Sequence, residues 1–430
     1  MIRPKSNESL HLPERVTDMS ILSKIAEKSR PPFDTDGAGD MREIDRLTAG
    51  LIIACPDPTH EDRARDAHRL QGQYLARQDM WEKLSAELLQ ADKTRLATPG
   101  AMPVSELLSY GARSDVVMAA EHALFDGEPA KDAPVLEGIE GLEEMLAESD
   151  VDPMCAIVVA QAHMDIGWAW RGTGKSDRLR ARNREAFEAH FDRAGDILDS
   201  IEDSCINSPF YHTAKCALNG GGLNPQHRIA RDYERLIDLN PKNPSPMRAL
   251  GTYLSPRWFG SHQELELEAR RTAARTQAVW GAGGYTWVMF DVLATDEGAC
   301  ENLDLEFFVE GLQDILTCSA EQQTANLLAA YCAYIHQEHL TTTEAALHTR
   351  RRISACADWI VRNHMTELHP LIWAHAAAGF ANNVKISSPR RFAAMGQRDG
   401  LRVIAQLFHR DIKNGHRIIF TADGPVAELS

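Results

Sequence analysis

From Met41 onward, apolar residues recur three and four positions apart in segments of roughly 12 to 20 residues, separated by short clusters of Pro, Gly, Asn or Ser. That spacing lays one apolar stripe along each segment and predicts roughly fifteen helices, most joined by loops short enough to make neighbours antiparallel. The expected fold is all-α. Helix starts are written as Ser or Thr followed three residues later by Glu or Gln, at Ser261-His-Gln-Glu264, Ser319-Ala-Glu-Gln322 and Thr341-Thr-Thr-Glu344. In that pattern the two side chains satisfy backbone groups reciprocally. Stops are read at Gly220-Gly221-Gly222, Asn240-Pro241 and His369-Pro370. Strand-like runs are confined to Cys155 to Ala160 (CAIVVA) and Arg417 to Thr421 (RIIFT). The second precedes Asp423-Gly424 and is read as a small β element capping the last helix.

A repeat is visible between Ile229 and Leu254, in IARDYERLIDLNPKNPSPMRALGTYL. With Pro241 as the proline that closes one helix pair, Tyr233 takes the aromatic position and Leu250-Gly251 the Leu-Gly position of the next pair. This segment resembles the junction between two tetratricopeptide repeats, and LQGQYLARQDMWEKL (Leu70 to Leu84) is a weaker echo. SPRWFGSHQELELEARRTA and AHMDIGWAWRG also resemble segments of bacterial tetratricopeptide-like proteins of unknown function. The resemblance implies an α-solenoid of stacked antiparallel helix pairs and supplies no activity. Residues 1–40 are read as a tail with one helix and a linker, 41–385 as the repeat domain, and 386–430 as a terminal helix and capping segment.

Composition narrows the partners. The 430 residues carry 46 Lys+Arg against 62 Asp+Glu, a net charge of −16 that repels phosphate backbones and anionic lipid heads. Neither nucleic acid nor a membrane is the expected partner. From Glu344 to Ser430 the balance reverses, with 12 basic against 7 acidic residues. A basic end and an acidic body fit a polar protein partner or end-to-end self-association. The eight cysteines are irregularly spaced and no stretch has the length of a membrane span, so the chain reads as cytoplasmic.

Candidate chemistry is thin. Ala169-Trp-Arg-Gly-Thr-Gly174-Lys175-Ser176 falls one glycine short of a phosphate-binding loop. Such a loop follows a buried strand in an alternating strand and helix pattern, and that pattern is missing. His163-Met-Asp165 is similar to the zinc-binding segment of one α-mannosidase family but supplies two ligands where three or four must converge. An enzyme reading would be a hydrolase built on Gly174, Lys175 and Ser176 or on His163 and Asp165. The reading preferred here is a non-catalytic scaffold, without cofactor or metal, that binds a protein or peptide in a concave groove. Aromatics crowd the central stretch, and the candidate contacts are Arg257, Trp258, Phe259, Trp170 and Tyr285.

Overall fold

The computed structural model describes Ile44 and residues 46–124, 129, 135–172, 180–221, 226–336, 342–379, 386 and 388–429. Sixteen helices of nine residues or more follow one another there. They are α1 (His60–Arg77), α2 (Trp81–Thr94), α3 (Val104–Ala123), α4 (Glu137–Glu148), α5 (Pro153–Arg171), α6 (Ala181–Ser200), α7 (Pro209–Ala217) and α8 (Gln226–Leu239). The second eight are α9 (Ser245–Leu254), α10 (His262–Trp280), α11 (Gly283–Thr295), α12 (Leu305–Cys318), α13 (Gln322–Tyr334), α14 (Glu344–His364), α15 (Pro370–Ala378) and α16 (Pro389–Leu407). No helix among the described residues is long and apolar enough to cross a membrane.

The fold is the expected all-α stack of helix pairs, with a small sheet at its end. Antiparallel pairing shows in which residues meet. Trp170 and Asn183 touch at one end of α5 and α6, and His163 and His190 lie further along. At the start of α13, Gln322 donates to the carbonyl of His364 at the end of α14.

Local chemistry explains several helix boundaries. Ser261 caps α10 as read, accepting from the N–H of Glu264 at 3.2 Å. The cap of α14 is Thr343, whose hydroxyl accepts from Ala346 N; Thr341 lies outside the described residues. Ser319 does not start α13 but closes α12, giving its N–H to Ile315 O at 2.9 Å; α13 begins behind Glu321, and the Ser319 hydroxyl lies 3.1 Å from that of Thr324. Pro370 opens α15 as its first residue instead of closing the helix before it. There its missing N–H costs nothing.

The strand-like run CAIVVA is helical. Asp152 accepts from the N–H groups of Met154 and Cys155 (3.0 and 2.9 Å), Pro153 stands at the first position, and α5 grows from that nucleus. Every residue from Met154 to Met164 is buried. A helix buried on all sides tolerates β-branched residues on every face, so tertiary burial overrides local strand preference.

The C-terminal β element is present. β2 (His416–Thr421) and β3 (Gly424–Leu429) form a hairpin, and β1 (Leu51–Ile52) joins β2 in parallel. Leu51 pairs with Ile418, so the start of the main body is tied to its end.

Buried side chains form two clusters. The first runs from Leu75 to Ala214, the second from Cys216 to Phe420. Val403, Ile404, Phe408, Ile418 and Phe420 belong to the second. Full burial of a large apolar side chain stabilises by roughly 1.5–3 kcal/mol. The backbone also approaches closely where the repeat pattern placed Leu-Gly: a Cβ on Gly251 would lie 1.8 Å from the carbonyl oxygen of Val288 in α11.

Candidate functional site

Two recesses of about 680 and 390 Å³ adjoin between the halves of the stack, sharing Asp62, Arg65 and Leu371. One wall is α1 with α3. These helices run side by side in the same direction, since Glu61 bonds Gly100 N ahead of α3 (2.7 Å) and Arg77 bonds Asp115 further on (2.8 Å). Their contact requires glycine: a Cβ on Gly72 would lie 2.0 Å from Leu108 O. The facing wall is built by α11, α13 and α15, which supply Phe290, Leu327, Tyr331, Leu371 and Ile372.

An apolar floor therefore sits between charged walls, and most of those charges already have partners. Arg69 meets Asp66 at 3.2 Å, and Arg113 meets Asp165 at 2.7 Å. Asp62 accepts from the N–H and hydroxyl of Thr59. Arg248 grips both oxygens of Asp291 (2.9 and 2.7 Å), and its guanidinium lies 5.0 Å from the ring of Phe290. Phe290 in turn stacks on Tyr331, with ring centroids 3.9 Å apart.

Arg65, at the seam of the two recesses, differs. Its ion pair is with Glu61 at 4.0 Å, while Glu61 gives its oxygens to the Thr98 hydroxyl and Gly100 N, both at 2.7 Å. The guanidinium is only loosely neutralised.

Glu106 stands in the wall of the larger recess. Burial pushes its carboxyl up to about 7, against the opposing pull of Arg113 and the Gln161 hydrogen bond. One oxygen accepts from Gln161 Nε2 at 3.2 Å; the other has no partner.

The residues singled out from sequence scatter. His163 and Asp165 leave α5 in different directions. His163 bonds Glu143 through Nε2 (2.7 Å) and His190 through Nδ1 (2.9 Å), whereas Asp165 belongs to Arg113. They do not converge, and no group of three or more His, Cys, Asp or Glu among the described residues is placed to hold a metal. Gly174, Lys175 and Ser176 lie outside the described residues.

Trp170 and Tyr285 are core residues. Tyr285 donates to Glu266 at 2.7 Å and accepts from Asp304 N, and Trp170 is buried beside Arg182. Arg257 is exposed next to half-buried Trp258 and Phe259, which gather around Tyr253 with centroids 5.4 and 6.1 Å from its ring. That aromatic shelf shares no residue with the two recesses.

Sequence reasoning missed the groove residues. Arg65 sits in HEDRARDAHR, which reads as a solvated face. Arg248 carried a faint signal, three residues ahead of the close-approach Gly251 and on the same side of its helix.

No family model matches this chain, and no curated protein or solved structure matches it either.

Proposed function

We propose that the protein is a non-catalytic, tetratricopeptide-like scaffold that takes an extended segment of a protein partner in the groove between α1–α3 and α11–α15. The observation that carries this reading is the pair of adjoining recesses, with an apolar floor along Leu107, Leu371, Ile372 and Phe290 and a loosely neutralised Arg65 at the seam. Apolar anchors give such a peptide its affinity, and a cation at the seam selects an acidic residue between them. The metal-hydrolase alternative gains nothing from the geometry, because His163 and Asp165 are engaged with separate partners, and Gly174, Lys175 and Ser176 of the nucleotide alternative lie outside the described residues.

The test is selection from a random peptide library displayed on phage, followed by titration of the recovered peptides. Peptides with an acidic residue between apolar ones should emerge. Leu371→Asp should weaken them at least tenfold and Arg65→Ala several-fold, whereas Arg257→Ala should leave affinity unchanged. Peptides that bind Leu371→Asp and Arg65→Ala as tightly as the parent protein would remove the groove from consideration.

A further inference from the structure

The C-terminal hairpin has a strand edge without a partner among the described residues. In the order β1-β2-β3, β2 is central, so β3 has an outer edge. Ile418 gives its N–H to Gly50 O at 2.9 Å on the β1 side, and Ala427 stands opposite Ile418. Backbone groups alternate in direction along an antiparallel pair. Pro425, Ala427 and Leu429 therefore turn theirs away from β2. Proline has no N–H, which leaves two donors and three acceptors facing outward.

Exposed strand edges are usually defended by lysines, prolines or bulges. β3 has no lysine, and Pro425 guards only one end. Its apolar side chains are also out in water: Leu429 is 81% exposed and Val426 46%.

We propose that a second copy of this chain docks on β3, antiparallel across a two-fold axis at Ala427, and fuses the two sheets into one of six strands. In that register Ala427 exchanges both of its backbone hydrogen bonds with Ala427 of the second copy. Each Leu429 N–H meets the Pro425 carbonyl opposite, which makes four bonds in all. The donor that proline lacks falls opposite the Leu429 carbonyl at the sheet's end, where water serves. Glu428 falls opposite Val426, so the two Glu428 carboxylates never face each other, and Arg417 is the β2 neighbour of each. Like charges directly opposite would have opposed the pairing.

The side chains agree with this register. Leu429 lies on the same sheet face as Ile418 and Phe420, both buried. Across the axis it comes to rest over Pro425 of the second copy, whose own neighbour on β2 is Phe420. The most exposed apolar residue of the hairpin gains a cover that one copy alone cannot give it.

Sedimentation velocity on the full chain tests the pairing. A concentration-dependent shift is expected from the 47.8 kDa monomer to a species of twice that mass. Ala427→Pro deletes the central outward N–H, which the monomer does not use, so its circular dichroism and melting temperature should match the parent while the dimer disappears. Leu429→Lys should weaken the dimer at least tenfold, and it serves as the test if Ala427→Pro fails to fold. A parent chain that stays monomeric at high micromolar concentration overturns the proposal. So does a folded Ala427→Pro or Leu429→Lys protein that dimerises undiminished.

Discussion

The two halves of the stack reach stability by different means. Between Leu75 and Ala214 the core is threaded with polar side chains. Ser109, Gln161, Arg113, Asp165 and Glu106 form one connected network, and His163, His190, Glu143 and Arg193 form another. Between Cys216 and Phe420 the core is aromatic and aliphatic, with Trp280, Trp287, Phe290 and Tyr331 packed ring against ring. One of its buried polar groups clamps the backbone: Asn326 accepts from His369 N and Trp373 Nε1 and donates to the carbonyls of Gln322 and Glu367. Titratable networks answer to pH and apolar packing does not. The halves should therefore fail under different conditions, although the groove between them needs both.

The largest expected effect comes from the close helix crossings. Gly251→Val in the second half and Gly111→Val in the first each force a side chain into a neighbouring backbone. The added Cβ would lie 1.8 Å from Val288 O or 1.9 Å from Arg69 O. Each should cost more than about 4 kcal/mol, the range of severe overpacking and broken contacts. Hydrogen exchange read by mass spectrometry should show α9 to α13 losing protection in Gly251→Val while α3 to α6 keep theirs, with the reverse in Gly111→Val. Loss of protection throughout in either variant would mean one cooperative unit and dissolve the comparison.

Asn326→Leu comes next. It leaves Trp373 Nε1 and His369 N without acceptors inside the second core, and a stranded buried group costs roughly 1–3 kcal/mol. The expected loss of about 2–4 kcal/mol would be read from denaturant midpoints. A neutral outcome would show that the second half does not depend on this polar clamp.

How far the sequence foretold this contrast depends on the kind of interaction. The three- and four-residue spacing around Tyr233 and Leu250-Gly251 gave the helix pairs and a close crossing, because those signals are local. Ser261 was legible as a cap for the same reason. The sheet was half legible: RIIFT beside Asp423-Gly424 announces a hairpin, but nothing in Leu51-Ile52 announces pairing with a strand more than three hundred residues on. Asp165 looked like half of a metal site because the sequence could not show Arg113 waiting across α3 and α5. The groove was the least legible, since Arg65, Phe290 and Leu371 meet only after the stack has brought α1, α11 and α15 together.

Acidification should separate the halves by a smaller margin. Burial holds His190 down to about 4, with the neighbouring His163 adding to the effect, and burial lowers His163 as well against the opposing pull of Glu143. The unfolded chain binds these protons near the usual histidine value of about 6.5. Between that value and about 4 the unfolded state holds more protons than the native one, so this contribution is full above the window and is lost as pH falls through it. The upper bound for His190 is about 3 kcal/mol. Urea denaturation followed by hydrogen exchange should place the acid-sensitive step in α5 and α6. Sensitivity appearing first in α11 to α15 would reverse the assignment.

Glu106 should work in the opposite direction within the same half. Its folded value of about 7 stands above the usual carboxyl value, so the native state holds the extra proton. That contribution is complete below about 4.5 and is lost as pH rises through about 7. At pH 8 the wild-type protein must keep an ionised carboxylate in the wall of the recess with one oxygen unpartnered. Glu106→Gln keeps the shape and an acceptor for Gln161 while removing the charge. The variant should therefore be more stable than the wild type at pH 8 by about 1–2 kcal/mol, a figure reduced from the full shift because the residue is not wholly buried. At pH 5 the two should be nearly equal. Paired urea titrations at these pH values decide it: a constant difference, or a gain that grows toward acid, would mean that Glu106 is ionised throughout and that Arg113 neutralises it across the network.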